Sequence, residues 1–306
     1  MGGPQSQGSW NATKVLIGLE RRIRPLLARP FVLHAFGSLR RMVERLGFAD
    51  LTVERDGLRI TGGISDRNML ASVEAKTFEP FTLSQWESMI EPGSVVIDVG
   101  AHVGIFTLLA SAAVGPQGRV WAIEPNPTSL RLLAHNVKSN ALDNVTVLNA
   151  ALSDENGTST LHVRPGDRMQ SSLVAVEAGS ELDVAVRVAR LDDLLPRDVR
   201  VDVLKVDAEG SEPAILRGMT RLLPGVRALI VESNPNCLRQ AGSSPTELHS
   251  MLVDAGFDVF VIDEETKRLI PCPAAGLSTI LDDRFINLLA KRQASGPGAE
   301  DGPGAP

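Results

Sequence analysis

Tyrosine is absent from this chain of 306 residues, aromatics of any kind make up 4%, and cysteine occurs twice, as Cys237 and Cys272. Two cysteines exclude a disulfide framework and a zinc site built from thiolates. The scarcity of aromatic rings disfavours a stacking cage for a planar ligand. No apolar run approaches the roughly 20 residues that a membrane helix needs. The N-terminus lacks a basic segment leading into an apolar core, so no secretory signal is read there. Met1-Gly2 with Ser6 meets the bare pattern for N-myristoylation, as many flexible starts do. What is present is globular: 43% hydrophobic residues, with 31 basic against 37 acidic side chains for a net charge of −6. A single large domain or two modest ones, in a reducing cytoplasmic setting, is the expectation. No internal repeat is visible.

Residues 1–13 and 292–306 are rich in Gly, Ser, Pro and Gln, and both are read as disordered ends. Residues 14–77 are read as a helical N-terminal region and a candidate lid. Residues 1–50 carry eight basic and three acidic side chains, a balance of +5 that leaves −11 for the rest. The basic stretch 14–45 could touch a membrane surface or an acidic partner, and a solvated helical face is the preferred reading.

From Pro92 onward short apolar runs alternate with helical segments. Residues 95–98, 119–123, 145–148, 201–206 and 227–232 read as buried strands, with two more at 259–262 and 285–289. Residues 103–113 carry helical spacing, and Asn126 with Pro127 signals a capped helix. Ser244-Pro245-Thr246-Glu247 is a capping box opening a helix that Gly256 closes. Residues 152–198 are more polar, with extended stretches near 159–163 and 184–188. This alternation predicts an α/β fold with a doubly wound, mostly parallel sheet of seven strands.

The sharpest motif is Asp98-Val99-Gly100-Ala101-His102-Val103-Gly104, a strand running into a glycine turn and then a helix. The turn allows close approach of a ligand, and the helix start suits an anionic group. The spacing differs from the Gly-x-Gly-x-x-Gly of dinucleotide sites. Asp98 before the turn repels a pyrophosphate and welcomes an ammonium. Glu124, 24 residues past Gly100, stands near the spacing expected of a carboxylate that holds a ribose diol. A nucleoside bearing an amino acid satisfies both ends, which describes S-adenosylmethionine.

With these motifs in order, the sequence resembles the FkbM family of S-adenosylmethionine-dependent methyltransferases. The resemblance runs from about Phe78 to Glu232. It includes Phe78-Glu79-Pro80, Asp98 to Gly104, Glu124-Pro125-Asn126-Pro127, Ala151-Leu152-Ser153-Asp154 and Ser171-Ser172-Leu173. It continues through Leu191-Asp192-Asp193-Leu194 and Leu204-Lys205-Val206-Asp207-Ala208-Glu209-Gly210-Ser211-Glu212 to Glu232. Two positions depart from the family pattern: His102 stands where Asn is typical, and Ala208 where Val is. The resemblance implies a Rossmann-like class I methyltransferase domain over 78–291 that methylates a hydroxyl of a sugar, glycan, polyketide or similar small molecule. It also implies that Gly100, Ala101, His102 and Gly104 cradle the methionine part, with Glu79 and Asp98 near its end. Glu124, Pro125 and Asn126 would hold the ribose, and Asn149, Ala150 and Ala151 would flank adenine. Asp207 would sit beside the sulfonium.

Methyl transfer to oxygen asks for positioning and a proton acceptor. Lys205, Asp207 and Glu209 alternate at the end of one strand and share a face. Asp207 or Glu209 is therefore read as orienting or deprotonating the acceptor. The alternative is that Asp207 binds cofactor, Glu209 holds the Gly210 turn and Lys205 pairs with one of them. Asp207, Glu209 and Glu232 at strand ends would also suit Mg²⁺, although a required metal is not the favoured reading. Two other functions stay open: a NAD(P)-dependent oxidoreductase, and a non-catalytic binder of S-adenosylmethionine. The acidic body argues against a nucleic-acid partner. The acceptor pocket is expected to draw on the N-terminal region, residues 152–198 and residues 233–236. Oligomeric state leaves no signal.

Overall fold

The computed structural model describes residues 50–163, 171–173, 182–272 and 284–292. The expected disordered start, the basic stretch 14–45 and nearly all of the expected tail lie outside the described residues. Arg292, placed in the tail above, instead ends a strand.

One sheet carries the fold. Its strand order is β13 (Arg268–Pro271), β12 (Phe257–Asp263), β14 (Ile286–Arg292), β11 (Ala228–Ser233), β10 (Val203–Val206), β3 (Val95–Val99), β4 (Arg119–Ile123) and β5 (Val145–Leu148). Strands β11, β10, β3, β4 and β5 pair in parallel, and β14 runs antiparallel between β11 and β12. The seven expected strands are all there; the eighth is β13. It forms because Asp263 accepts the Glu265 and Thr266 N–H groups at 2.9 and 3.0 Å and turns the chain back on β12. The central strand β10 is buried along its whole length, which is why its residues 203–206 read as a short apolar run broken only by Lys205.

Helices fill both faces. They are α1 (Arg67–Glu74), α2 (Pro80–Met89), α3 (Ile105–Val114), α4 (Pro127–Ser139), α5 (Leu191–Leu194), α6 (Glu212–Arg217), α7 (Pro235–Gln240) and α8 (Pro245–Asp254). Asn126 caps α4 by accepting the Thr128 N–H at 2.9 Å, with Pro127 in the first turn. Ser244 caps α8 through the Glu247 N–H at 3.1 Å. Helix α2 starts where Glu264 accepts the Phe81 and Thr82 N–H groups at 3.0 and 2.7 Å. Alternate residues of β10 point into opposite cores. Leu204 and Val206 join Leu229, Val231 and Leu252 in one, while Val203 joins Val96, Ile230 and Trp86 in the other.

One part of the sequence folds differently from expectation. Residues 51–62 are a hairpin, β1 (Leu51–Arg55) and β2 (Leu58–Gly62), rather than helix. Asp56-Gly57 makes its two-residue turn with φ of 51° and 80°, the left-handed pair that suits a tight hairpin. Asn136 of α4 clamps it, accepting from Thr61 N and donating to Thr61 O, each at 2.8 Å. The polar stretch after β5 forms a second sheet ordered β6 (Ala151–Leu152), β9 (Leu182–Ala189), β7 (Gly157–Val163) and β8 (Ser171–Ser172).

Candidate active site

The chain leaves β3 for β4 and β5 on one side and returns at β10 to build the other, so β3 and β10 flank the switch point of the sheet. Ligands of open α/β sheets bind there, beyond the carboxyl ends of the strands. A cavity of about 260 Å³ lies at that place. Its lining includes the predicted Glu79, Asp98, Gly100, Ala101, His102, Glu124, Pro125, Ala150, Ala151, Lys205, Asp207 and Glu209.

The predicted Gly104, Asn126 and Asn149 are not among the residues lining it. Gly104 serves packing instead: at φ +97° it opens α3, and a Cβ there would stand 2.7 Å from Leu133. Asn126 is spent on the α4 cap and on a 3.0 Å bond to Ser171. Gly100 lines the cavity and is also required by a neighbour. A Cβ on it would fall 1.7 Å from the Asp207 carbonyl oxygen, where the loops after β3 and β10 touch.

Near the glycine loop a carboxylate holds backbone. Glu124 accepts the His102 N–H and the Asn126 N–H, each at 2.8 Å, and so ties the glycine loop to the start of α4. Burial pushes its carboxyl up to about 7 against the pull of those two N–H groups. Asp98 is 1% exposed and accepts from Thr107 at 2.6 Å, while its Oδ1 has no partner. Burial raises it as well, opposed by Lys205. His102 takes φ +51°, a conformation that Asn and His both tolerate better than most residues, so the departure from the family's Asn keeps the loop's shape. The loop is tied down from behind: Asn136 donates to Val103 O at 2.7 Å, and His102 lies 3.6 Å from Asp66.

On the other side the charged groups hold one another. Lys205 is buried, with its Nζ 2.7 Å from Asp207 and 4.5 Å above the Phe106 ring. Burial alone would lower its pKa, but Asp207, Asp98 and Glu79 together hold it well above the ordinary value. Asp207, whose side chain is 34% exposed, is pushed up by burial and pulled further down by Lys205, Glu232 and His102. Glu232 is raised well above the carboxylate range by burial and then by the charges of Asp207 and Glu209. Glu209 sits at φ +49° and accepts from the Cys237 thiol at 3.1 Å.

Lys205 thus pairs with Asp207, and the N–H groups of the Gly210 turn need an acceptor. That task falls to Glu212, which accepts the Ala208 N–H at 2.9 Å and the Gly210 N–H at 3.0 Å. Glu79 occupies φ +38°, is pushed up to about 7 by burial, and accepts from Asn287 at 3.2 Å. The described residues contain no group of three His, Cys, Asp or Glu arranged to hold a metal ion.

Several lining residues have no role of their own in the sequence analysis. Met69, Phe78, Phe106, Leu161, Leu173 and Phe285 give the cavity apolar walls, and Ser171 and Asn234 add polar points. The three stretches expected to supply them, the N-terminal region, 152–198 and 233–236, do supply Met69, Leu161, Ser171, Leu173 and Asn234. Phe106 was missed because it lies inside an ordinary apolar helix. No helix among the described residues is long and apolar enough to cross a membrane.

The family described as "Methyltransferase FkbM domain" matches residues 98–259, more than half of the chain. "Methyltransferase sdnD" of Sordaria araneosa is 29% identical over 197 residues, covering 54% of this chain and 73% of that protein. "Hexuronic acid methyltransferase AglP" of Haloferax volcanii is 28% identical over 167 residues, covering 54% of this chain and 64% of that protein, just under two thirds of its length. A solved structure of "Methyltransferase FkbM" from Methylobacillus flagellatus is 14% identical, with a TM-score of 0.41, covering 78% of this chain and 56% of that one.

Proposed function

The chain belongs to the FkbM methyltransferase family, and from that premise we propose that it moves a methyl group from S-adenosylmethionine to a hydroxyl oxygen of a small molecule. Sugars, glycans and polyketide-type intermediates are the acceptor classes this reading covers. The family sets aside the nicotinamide oxidoreductase alternative. The observation that carries the reading is the charge pattern of the cavity. Six carboxyl groups (Glu79, Asp98, Glu124, Asp207, Glu209 and Glu232) converge there around one buried lysine. Such a wall favours a cationic ligand.

The residues fit the cofactor. The unpartnered, buried Oδ1 of Asp98 needs a donor, and an ammonium supplies one. Glu79 adds a second carboxyl at that end. Glu124 spends one lone pair of each oxygen on backbone N–H groups, which leaves the others for the two hydroxyls of a ribose. Ala150 and Ala151 leave room for a flat base. When bound, S-adenosylmethionine supplies a methyl carbon made electrophilic by its sulfonium.

The chain's part is mainly placement. Phe106, Ile123 and Leu161 keep water from the cavity, and the rigid ends of β3 and β10 fix the distance between ligand and acceptor. Asp207 is partly exposed and kept ionised by Lys205, so it can accept the hydrogen bond of an acceptor hydroxyl and take its proton. The relative named for hexuronic acid supports a sugar acceptor.

The test is incubation with S-adenosylmethionine carrying a labelled methyl group and a panel of sugars, glycosides and polyketide alcohols. Label appearing as a methyl ether is the expected result. Label found only on nitrogen or carbon would overturn the hydroxyl assignment while leaving the methyltransferase intact.

A further inference from the structure

Glu232 is the acid for which the reaction so far has no task. It lies near the end of β11, is 6% exposed and lines the cavity. One of its oxygens, Oε1, has no hydrogen-bond partner, and the pairing of Val206 with Val231 across β10 and β11 sets Glu232 beside Asp207 at the ends of the two strands. Two carboxyl groups side by side in a buried site do not both ionise, so one member of this pair is a neutral acid.

Geometry says which. Asp207 has the Lys205 ammonium at 2.7 Å and a side chain one-third open to the cavity. Glu232 has no cation of its own. Facing it are Asp207 from the end of β10, Glu209 and Glu212 from the loop and helix that follow, and the Cys237 thiol of α7. The Lys205 ammonium pairs with Asp207 instead. An orphaned buried oxygen is far less costly as part of a neutral acid than as part of an anion. The proton therefore rests on Glu232.

We propose that Glu232 acts as a neutral proton donor to Asp207, and that this bond, with Lys205 on the other flank, aims the Asp207 carboxylate at the acceptor hydroxyl. Glu232 is thus a positioning residue, and Asp207 is the group that meets the acceptor. The role rests on the hydroxyl-acceptor reading above. In the transfer, the acceptor O–H bond breaks and its electron pair forms the new O–CH₃ bond. The pair of the broken C–S bond stays with sulfur, and the proton passes to Asp207. The two carboxyls are then both neutral, with Glu232 still donating, until Asp207 returns its proton to water.

The chemistry predicts a contrast between two substitutions. An amide at this position can still donate to Asp207, whereas a methyl group cannot. In the full-length protein, Glu232→Gln is expected to lower kcat less than about tenfold and Glu232→Ala roughly 30- to 100-fold, the span of a lost hydrogen bond to a charged group. S-adenosylhomocysteine affinity stays within about threefold in both, since the ligand's own contacts are untouched. The wild-type rate falls at alkaline pH as Glu232 ionises and repels Asp207, and that fall disappears in Glu232→Gln. Loss of activity in Glu232→Gln as deep as in Glu232→Ala, with binding intact, would make Glu232 itself the base and overturn the proposal. So would wild-type rates in both.

Infrared difference spectra test the pair without any acceptor. A neutral carboxylic acid band at neutral pH that Glu232→Gln removes supports it, and an unchanged band overturns it. That band together with no transfer to any hydroxyl supports the pair and counts against the hydroxyl reading alone.

Discussion

The two ends of the cavity use acidic residues in opposite ways. On the β3–β4 side Glu124 bonds to backbone, joining the His102 and Asn126 N–H groups across two loops, and Asp98 is held by the Thr107 hydroxyl of the following helix. On the β10–β11 side the acids bond to other side chains, Asp207 to Lys205 and Glu209 to Cys237, and Glu232 stands beside Asp207. Backbone partners make a site rigid. Side-chain partners make a site whose protons can move. The first suits holding a ligand, and the second suits taking a proton from one.

The substitution expected to do most damage removes the seam between the two. Gly100→Ala puts a Cβ 1.7 Å from the Asp207 carbonyl at a backbone φ of +73°. A loss of at least about 3 kcal/mol of stability is expected, from strain and forced displacement together. Denaturant midpoints, S-adenosylhomocysteine binding and turnover would all fall, because both loops must shift.

Next in size is Asp207→Asn, which should cut kcat about 10²- to 10³-fold with little change in thermal stability, as expected for loss of a general base. Single-turnover rates at saturating cofactor check it, and an unchanged rate would end the catalytic role of this residue. Glu124→Gln has a smaller effect on the other end. Its amide nitrogen must face one of two N–H groups, so cofactor affinity should weaken roughly tenfold. The rate at saturation should change little, which separates the ends kinetically.

The smallest effect is on pH dependence. Glu79, Glu124 and Glu212 are each pushed from the ordinary 4.5 to about 7, chiefly by burial. A raised acid holds its proton more tightly in the folded state. Stability from these groups is therefore present below about 4.5 and lost as pH climbs toward 7. Thermal midpoints without ligand should fall between pH 5 and about 8, and Glu124→Gln should flatten the slope. A midpoint that rises through that range would show these acids to be ionised throughout.

Much of the backbone side was legible before the structure. Strand β4 and strand β5 were read at their own limits, and β3 within one residue, because their apolar runs end in turn or cap residues. The Asn126 cap was equally plain. Gly100 was placed at the site for the approach of a ligand, while the close approach of the distant Asp207 backbone cannot be seen along the chain. The hairpin at 51–62 had its signal, Asp56-Gly57 between alternating apolar residues, but the helical spacing upstream extended across it. The side-chain partners were hardest to read. Asp207 and Glu232 are 25 residues apart in sequence and meet only because β10 and β11 are parallel neighbours. Spacing marked both as strand-end acids, and nothing in it showed that they share a proton.

The account stands or falls on whether Asp207 belongs to the acceptor end or to the cofactor. Calorimetric titration of the wild type, Asp207→Asn and Glu124→Gln with S-adenosylhomocysteine decides it. The expected result is affinity within about threefold of wild type for Asp207→Asn and roughly tenfold weaker for Glu124→Gln. An Asp207→Asn protein that binds as poorly as Glu124→Gln, or worse, would contradict the division and make Asp207 a cofactor ligand.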